Sequence, residues 1–159
     1  MRKIKLLIMS LVAIAFYSCE PTYVKEYNWA YPVAGDWTLT AYTNGAVYGG
    51  PYEIKSYNSS FGKDSIWFDD YGTGVASAAQ YGNFWTMKFK VAADVNAKTF
   101  STVGSINRIP GYPINIVVTN GKIVGNDSIT MDIVFEDDPT TTYQLAGHRT
   151  VSYEEYTQQ

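Results

Sequence analysis

The sequence predicts an all-β protein, an eight-stranded antiparallel up-and-down barrel, and three observations support this fold class. Apolar and polar residues alternate strictly in several segments, most clearly at 85–91 and 128–135, which is the period of a half-buried strand. Asn-Gly pairs at 44–45 and 120–121 favour type I′ hairpin turns, because both central residues of that turn need positive φ. No segment carries a convincing helical period. Eight sequential strands would expose two edges, which closure into a barrel removes; a two-sheet β-sandwich is the alternative.

Each predicted strand is placed by the inward side chains that alternate along it. In chain order these are Trp37, Leu39 and Ala41; Tyr52 and Ile54; Ile66 and Phe68; Trp85, Met87, Phe89 and Val91; Phe100; Ile114, Ile116 and Val118; Ile129, Met131, Ile133 and Phe135; and Tyr143 and Leu145. The corresponding strands are 36–43, 51–58, 64–69, 84–92, 98–104, 114–119, 122–135 with an interruption near 125–126, and 141–149. The sequence therefore predicts a single barrel domain over residues 35–159.

The N-terminal segment has the composition of a secretory signal peptide. A cationic start is followed at 6–16 by about eleven nearly uncharged, mostly apolar residues, too few for a spanning helix of about twenty. Cys19 is the only cysteine of the chain and follows the small residue Ser18. This arrangement resembles a bacterial lipobox, which implies that the Cys19 thiol is acylated and the chain is cut in front of it. The prediction is a lipoprotein signal peptide at 1–18 and a lipidated cysteine and tether at 19–34.

The charge of the mature chain limits its partners. Cleavage before Cys19 would remove three of the 12 basic residues and none of the 15 acidic ones, leaving a net charge of −6. An acidic surface repels phosphate backbones and anionic head groups, so we expect no nucleic-acid partner. Membrane attachment would come from the N-terminal lipid, and we expect an outer membrane lipoprotein of the cell envelope.

Two sets of residues carry a resemblance to known families. Gly35-Asp36-Trp37 opens the first strand and Arg149 ends the last, which resembles the calycin and lipocalin signature and implies that Arg149 covers Trp37 at one end of the barrel. The wider pattern includes 64–67, 119–123 and 147–150. It resembles the Bacteroidetes family of lipid-binding lipoproteins, also labelled lipid-binding putative hydrolase, over roughly residues 34–151. That resemblance implies a calycin-like barrel and a small hydrophobic ligand.

Loop lengths indicate which end of the barrel is open. The connections 44–50, 70–83 and 105–113 are longer than those at the other end, so we expect them to form the mouth. Six inward residues near this mouth are predicted to bind a small hydrophobic or amphipathic ligand in an apolar cup. They are Tyr52, Phe68, Trp85, Met87, Phe135 and Tyr143. The alternative is that these side chains simply fill a closed core.

No catalytic residue, metal site or cofactor is predicted. The sole histidine, His148, is adjacent to the inward Arg149 and should face outward, and the chain has no Gly-x-Ser-x-Gly elbow. The acidic stretches at 69–70 and 136–138 are typical of turns and solvated loops. The alternative function is a surface accessory or adhesion protein with a glycan- or protein-binding aromatic face, and a hydrolase is third. That face would use Trp29, Tyr31, Tyr48, Trp67, Tyr71, Tyr81 and Tyr112.

Overall fold

The structure is a computed structural model that describes residues 28–60, 62–70 and 84–150. These residues form eight strands: β1 (Gly35–Thr43), β2 (Ala46–Asn58), β3 (Ser65–Asp69), β4 (Lys88–Asp94), β5 (Thr99–Ile106), β6 (Asn115–Val124), β7 (Ser128–Phe135) and β8 (Asp138–Arg149). Each strand pairs with the next in antiparallel order, and β1 also pairs with β8, so the barrel closes. The predicted eight-stranded up-and-down barrel is confirmed and the sandwich is wrong. Across these ranges no helix is long and apolar enough to span a membrane.

The barrel interior is filled by the inward side chains of all eight strands. Along β7 every second residue is buried, which places Met131 opposite Leu145 and Ile133 opposite Tyr143 on β8. An eight-stranded barrel has an interior just wide enough for side chains to fill. The largest side chains that are almost completely buried are Trp37, Phe68, Phe89, Phe135, Leu39, Ile54, Ile66, Met87, Ile116, Ile129, Met131 and Ile133.

The first hairpin is tighter than its sequence suggested. Asn44 and Gly45 have φ values of 51° and 78°, so they form the predicted hairpin turn. β2 then begins at Ala46, and the expected long connection 44–50 is wrong: most of it extends β2. The extension lacks the alternation of a half-buried strand because Ala46, Val47 and Tyr48 are all exposed.

The second Asn-Gly pair is a bulge and not a turn. Asn120 has a φ of 54°, but the pairing of β6 with β7 continues past it with a register shift between Thr119 and Lys122. The hairpin turn lies at 125–127, between β6 and β7. The predicted interruption near 125–126 is this turn, so the predicted strand 122–135 is two strands, and its first three residues belong to β6. The strand start at 122 is wrong because a positive φ at Asn serves a bulge as well as a turn.

β4 begins four residues later than predicted, at Lys88. Thr86 has a φ of 53°, which interrupts the extended backbone and changes which side chains point inward. As a result Phe84 is only 7% exposed, whereas Trp85 is half-buried. β8 in turn begins at Asp138, because the turn from β7 is short.

Residues 28–34 are part of the folded domain and not of a tether. Ala30 and Val33 are completely buried against the core, and the Val33 carbonyl accepts a hydrogen bond from Ser56 Oγ at 3.0 Å. The Trp37 indole N–H donates to the same Ser56 Oγ at 2.8 Å. The predicted domain start at 35 is thus several residues late, because Ala30 and Val33, on either side of Pro32, are buried in the core. Residues 1–27, with the predicted signal peptide and Cys19, lie outside the described residues.

Candidate ligand-binding site

The two ends of the barrel are built differently, and one is sealed by Arg149. Its guanidinium carbon lies 4.4 Å from the centre of the Trp37 ring and 5.6 Å from that of Tyr31. Arg149 Nη1 donates to the Ala34 carbonyl at 2.6 Å. A side chain at Gly35 would place its Cβ 2.1 Å from Nη1, so glycine leaves room for the guanidinium. We call this the closed end.

The opposite end holds six aromatic side chains, which we call the aromatic cluster. They are Tyr48, Tyr52, Phe84, Trp85, Phe135 and Tyr143. Phe84 is central, since its ring centre lies within 6.3 Å of the ring centres of the other five. Trp85 stacks on Phe135 with the ring centres 4.3 Å apart and the planes 6° from parallel. We call this the aromatic end.

A buried carboxylate positions the segment that carries Phe84 and Trp85. Asp70 is completely buried at the end of β3. Its Oδ2 accepts the Trp85 amide at 3.0 Å, and its Oδ1 accepts the Met87 amide. Burial raises the pKa of Asp70, and the backbone amides partly offset that rise. The Asp70 amide donates to the Met87 carbonyl at 3.0 Å, so Asp70 holds the entry to β4 against the barrel through both its side chain and its backbone.

Phenols and carboxylates border the aromatic cluster. The Trp85 indole N–H donates to the Tyr112 hydroxyl at 3.0 Å, and this hydroxyl donates to Asp137. The Tyr143 hydroxyl donates to Asp138 Oδ2 at 2.8 Å. Burial first, and the adjacent carboxylate second, raises the pKa of each of these two phenols. Both tyrosines are therefore neutral donors at neutral pH.

The six predicted ligand-binding residues lie in two places. Four belong to the aromatic cluster: Tyr52, Trp85, Phe135 and Tyr143. Phe68 instead packs inside the barrel, with its ring centre 5.9 Å from that of Phe89 and 5.0 Å from that of Phe100. Met87 is also completely buried.

Two members of the cluster were missed by the sequence-based prediction. Tyr48 was assigned to a loop, and strict alternation pointed Phe84 outward. The consecutive aromatic residues Phe84 and Trp85 were the available signal. Phe84 fills the centre of the cup that the sequence predicted, so the rings at this end pack on one another.

The aromatic residues of the alternative accessory function do not form one face. Trp67 lies on the outer wall beneath two ammonium groups, 5.0 Å from Lys90 Nζ and 5.9 Å from Lys88 Nζ. Trp29 packs against the core, Tyr31 lies at the closed end, and Tyr48 and Tyr112 lie at the aromatic end. Tyr71 and Tyr81 fall outside the described residues.

Two further sequence predictions concern the orientation of the sole histidine and metal binding. His148 is exposed on β8. Within 28–60, 62–70 and 84–150, no group of three or more His, Cys, Asp or Glu side chains is arranged to hold a metal ion.

The described residues define a closed antiparallel β-barrel with an apolar, aromatic-lined end. The chain belongs to the family described as "Lipid-binding putative hydrolase", whose model matches residues 22–154. The matched range includes all eight strands. No curated protein matches the chain. The resemblance to this lipid-binding family is thereby confirmed, and a β-barrel of this family fits a lipid-binding role.

Proposed function

We propose that the protein is a cell-envelope lipoprotein that binds a small hydrophobic or amphipathic molecule at the aromatic end of its barrel. The observation that carries this proposal is the aromatic cluster, in which Phe84 and Trp85 lie outside any strand and pack on β-strand residues. Membership of a lipid-binding family supports the same conclusion. Sites of this kind are mostly apolar, with a few polar groups that orient the ligand.

Phe84 and Trp85 are suited to rearrange around a ligand. Both precede β4, and their backbone is held mainly by hydrogen bonds to Asp70: its carboxylate accepts the Trp85 and Met87 amides, and its own amide donates to the Met87 carbonyl. An apolar chain could therefore pack against the cluster, or replace Phe84 at its centre, without breaking strand pairing. Burial of some 300 Å² of apolar surface would supply roughly 7 kcal/mol before association costs. We accordingly expect micromolar binding of simple lipids.

The proposed lipid anchor would hold the aromatic end away from the membrane. Residues 28–34 pack at the closed end, so the described part of the barrel that follows Cys19 most closely in sequence lies at that end. The eight residues from 20 to 27 would span at most about 28 Å when fully extended. In this arrangement the ligand site opens toward the solvent or a neighbouring component, and not toward the leaflet that holds the acyl chains.

Tryptophan fluorescence of residues 20–159, which contain the whole barrel, tests the ligand site. Fatty acids, sterols and hydrophobic dyes should change the emission, and Trp85→Ala and Phe135→Asp should weaken binding several-fold. Trp67→Ala is the control, since Trp67 lies on the outer wall. Unchanged emission and unchanged thermal stability with every compound would contradict the proposal.

A further inference from the structure

Two carboxylates beside the aromatic cluster, Asp137 and Asp138, accept the hydroxyl protons of Tyr112 and Tyr143. The Trp85 indole N–H is donated to Tyr112, whose hydroxyl proton is donated to Asp137. The Tyr143 hydroxyl proton is donated to Asp138. Each carboxylate has about four acceptor sites, so both can accept further bonds. A ligand head group at this border therefore meets acceptors.

The net charge at this border is negative, which also favours a cationic head group. Glu136 and Asp137 form the turn between β7 and β8, Asp138 opens β8 directly after them, and Glu136 Oε2 accepts the Asn115 amide at 2.6 Å. Lys88 lies at the same end, but its ammonium is 2.9 Å from Asp69 in an ion pair. Arg108, in the connection after β5, is exposed. Acidic groups therefore outnumber basic ones where the aromatic rings meet solvent.

Cations already lie over aromatic rings at two other places on this barrel. Lys88 and Lys90 lie over Trp67 on the outer wall, and Arg149 lies over Trp37 at the closed end. Among the described residues, no such contact occurs at the aromatic cluster. The cluster thus combines electron-rich ring faces with adjacent carboxylates, and it lacks a protein cation.

We propose that the ligand of this site is a single-chain amphiphile with a cationic ammonium head. Its chain would pack on Phe84 and Trp85, and its head would lie against the Tyr143 ring and the carboxylates of Asp137 and Asp138. Aromatic faces attract ammonium groups, more strongly when the site excludes water. An amphiphile with a carboxylate head would meet the like charge of Asp137 and Asp138, and the Tyr112 and Tyr143 hydroxyls already donate to those carboxylates. This inference rests on the proposed function and specifies the chemical class of its ligand.

Three amphiphiles with the same twelve-carbon chain test the inference: dodecyltrimethylammonium, dodecanol and dodecanoate. Each is titrated below its micelle concentration into residues 20–159 at pH 7.5, and tryptophan emission is followed. We expect the ammonium compound to bind at least about tenfold more tightly than dodecanoate, with dodecanol between them. The preference should shrink as salt is added, because exposed charges are screened.

A pair of charge-matched variants separates a local effect from a net-charge effect. Asp137→Asn with Asp138→Asn should reduce the ratio of the dodecyltrimethylammonium affinity to the dodecanol affinity at least threefold. Asp36→Asn with Asp64→Asn removes the same charge from exposed residues of β1 and of the connection before β3. This control pair should keep the full preference.

The possible outcomes distinguish the two proposals. Equal affinity for all three compounds, or tightest binding of dodecanoate, would overturn the inference and leave the hydrophobic site in place. An equal loss of preference in both variant pairs would also overturn it, because net charge alone would then explain the effect. If none of the three compounds binds, the proposed function itself fails.

Discussion

Arg149 and Trp37 contact each other through both backbone and side chain. They are paired residues in the β1–β8 ladder, and the guanidinium carbon lies 4.4 Å from the centre of the indole ring. Their strands are the first and the last of the barrel, so this contact lies on the seam that turns a sheet into a closed cylinder. Gly35 allows it, because any Cβ there would fall 2.1 Å from Arg149 Nη1.

Arg149→Ala should lower the free energy of unfolding by about 2–4 kcal/mol. The variant loses the ring contact and two hydrogen bonds to carbonyls, those of Ala34 and Asn126. A double-mutant cycle with Trp37→Leu, followed by urea unfolding, should give a coupling of about 0.5–2 kcal/mol. His148→Ala, at the exposed neighbouring position, should change stability by no more than about 0.5 kcal/mol. Additive losses in the cycle would show that the ring contact contributes nothing.

Asp70→Asn should lower stability and change its pH dependence. Burial raises the pKa of Asp70 above the ordinary value of 3.8, and the amide hydrogen bonds only partly offset this rise. The folded state therefore holds the proton to higher pH than the unfolded chain. This group's contribution to stability falls as pH rises from about 3.8 to the raised pKa, and it is constant above that.

The advantage of the wild type over Asp70→Asn should consequently be largest in acid and shrink toward neutral pH. Loss of one amide acceptor should cost about 1–3 kcal/mol. Urea unfolding between pH 3.5 and 7 measures the difference at each pH. Asp64→Asn, at an exposed position, should change stability little over the same range. An advantage that grows with pH would show that the amides outweigh burial at Asp70.

Most of the fold could be predicted from the sequence because each strand of the barrel has one buried face and one exposed face. Residues of β7 alternate between core and solvent without interruption, so Ile129, Met131, Ile133 and Phe135 could be assigned to the interior from their spacing alone. The turn at 44–45 was also predictable, because Asn-Gly supplies the positive φ values that a type I′ turn needs. The pair at 120–121 meets the same requirement in a bulge, so the dipeptide alone did not distinguish the two.

The candidate site was predictable only in part because it depends on residues outside the regular strands. Thr86 has a positive φ, so counting by twos along 84–92 assigns Phe84 to the wrong side. From the sequence, Asp70 was expected to lie in a solvated loop. In the structure its carboxylate is buried and accepts hydrogen bonds from the backbone amides of Trp85 and Met87, which precede β4. Such tertiary hydrogen bonds leave no periodic trace in a sequence.

Cys19→Ala should abolish membrane attachment. Cys19 follows the apolar run and Ser18, and lipidation would give a stable anchor where two or more acyl chains are added. In a bacterium that processes lipoproteins, wild type should partition with the membrane fraction into detergent, and Cys19→Ala should not. Ser18→Gly keeps a small residue before the cysteine and should behave like wild type. Equal partitioning of Cys19→Ala and wild type would contradict lipidation.

Phe84→Ala should weaken the fold and strengthen ligand binding. Phe84 contacts all five other rings of the aromatic cluster, so its truncation should cost about 3–5 kcal/mol and leave space at the centre of the cluster. An amphiphile chain could occupy that space without displacing a side chain. We therefore expect a larger rise in melting temperature on ligand addition, and an affinity several-fold higher than that of wild type.

Phe100→Ala is the matched control, because Phe100 is similarly buried and packs on Phe68 inside the barrel instead of on the aromatic cluster. It should lose similar stability without any gain in amphiphile binding. Phe84→Leu removes less volume and gives the same test, with a smaller effect, if Phe84→Ala does not fold. Equal ligand responses from the truncations at 84 and 100 would show that the ligand does not enter the aromatic end, because only one of the two cavities lies there.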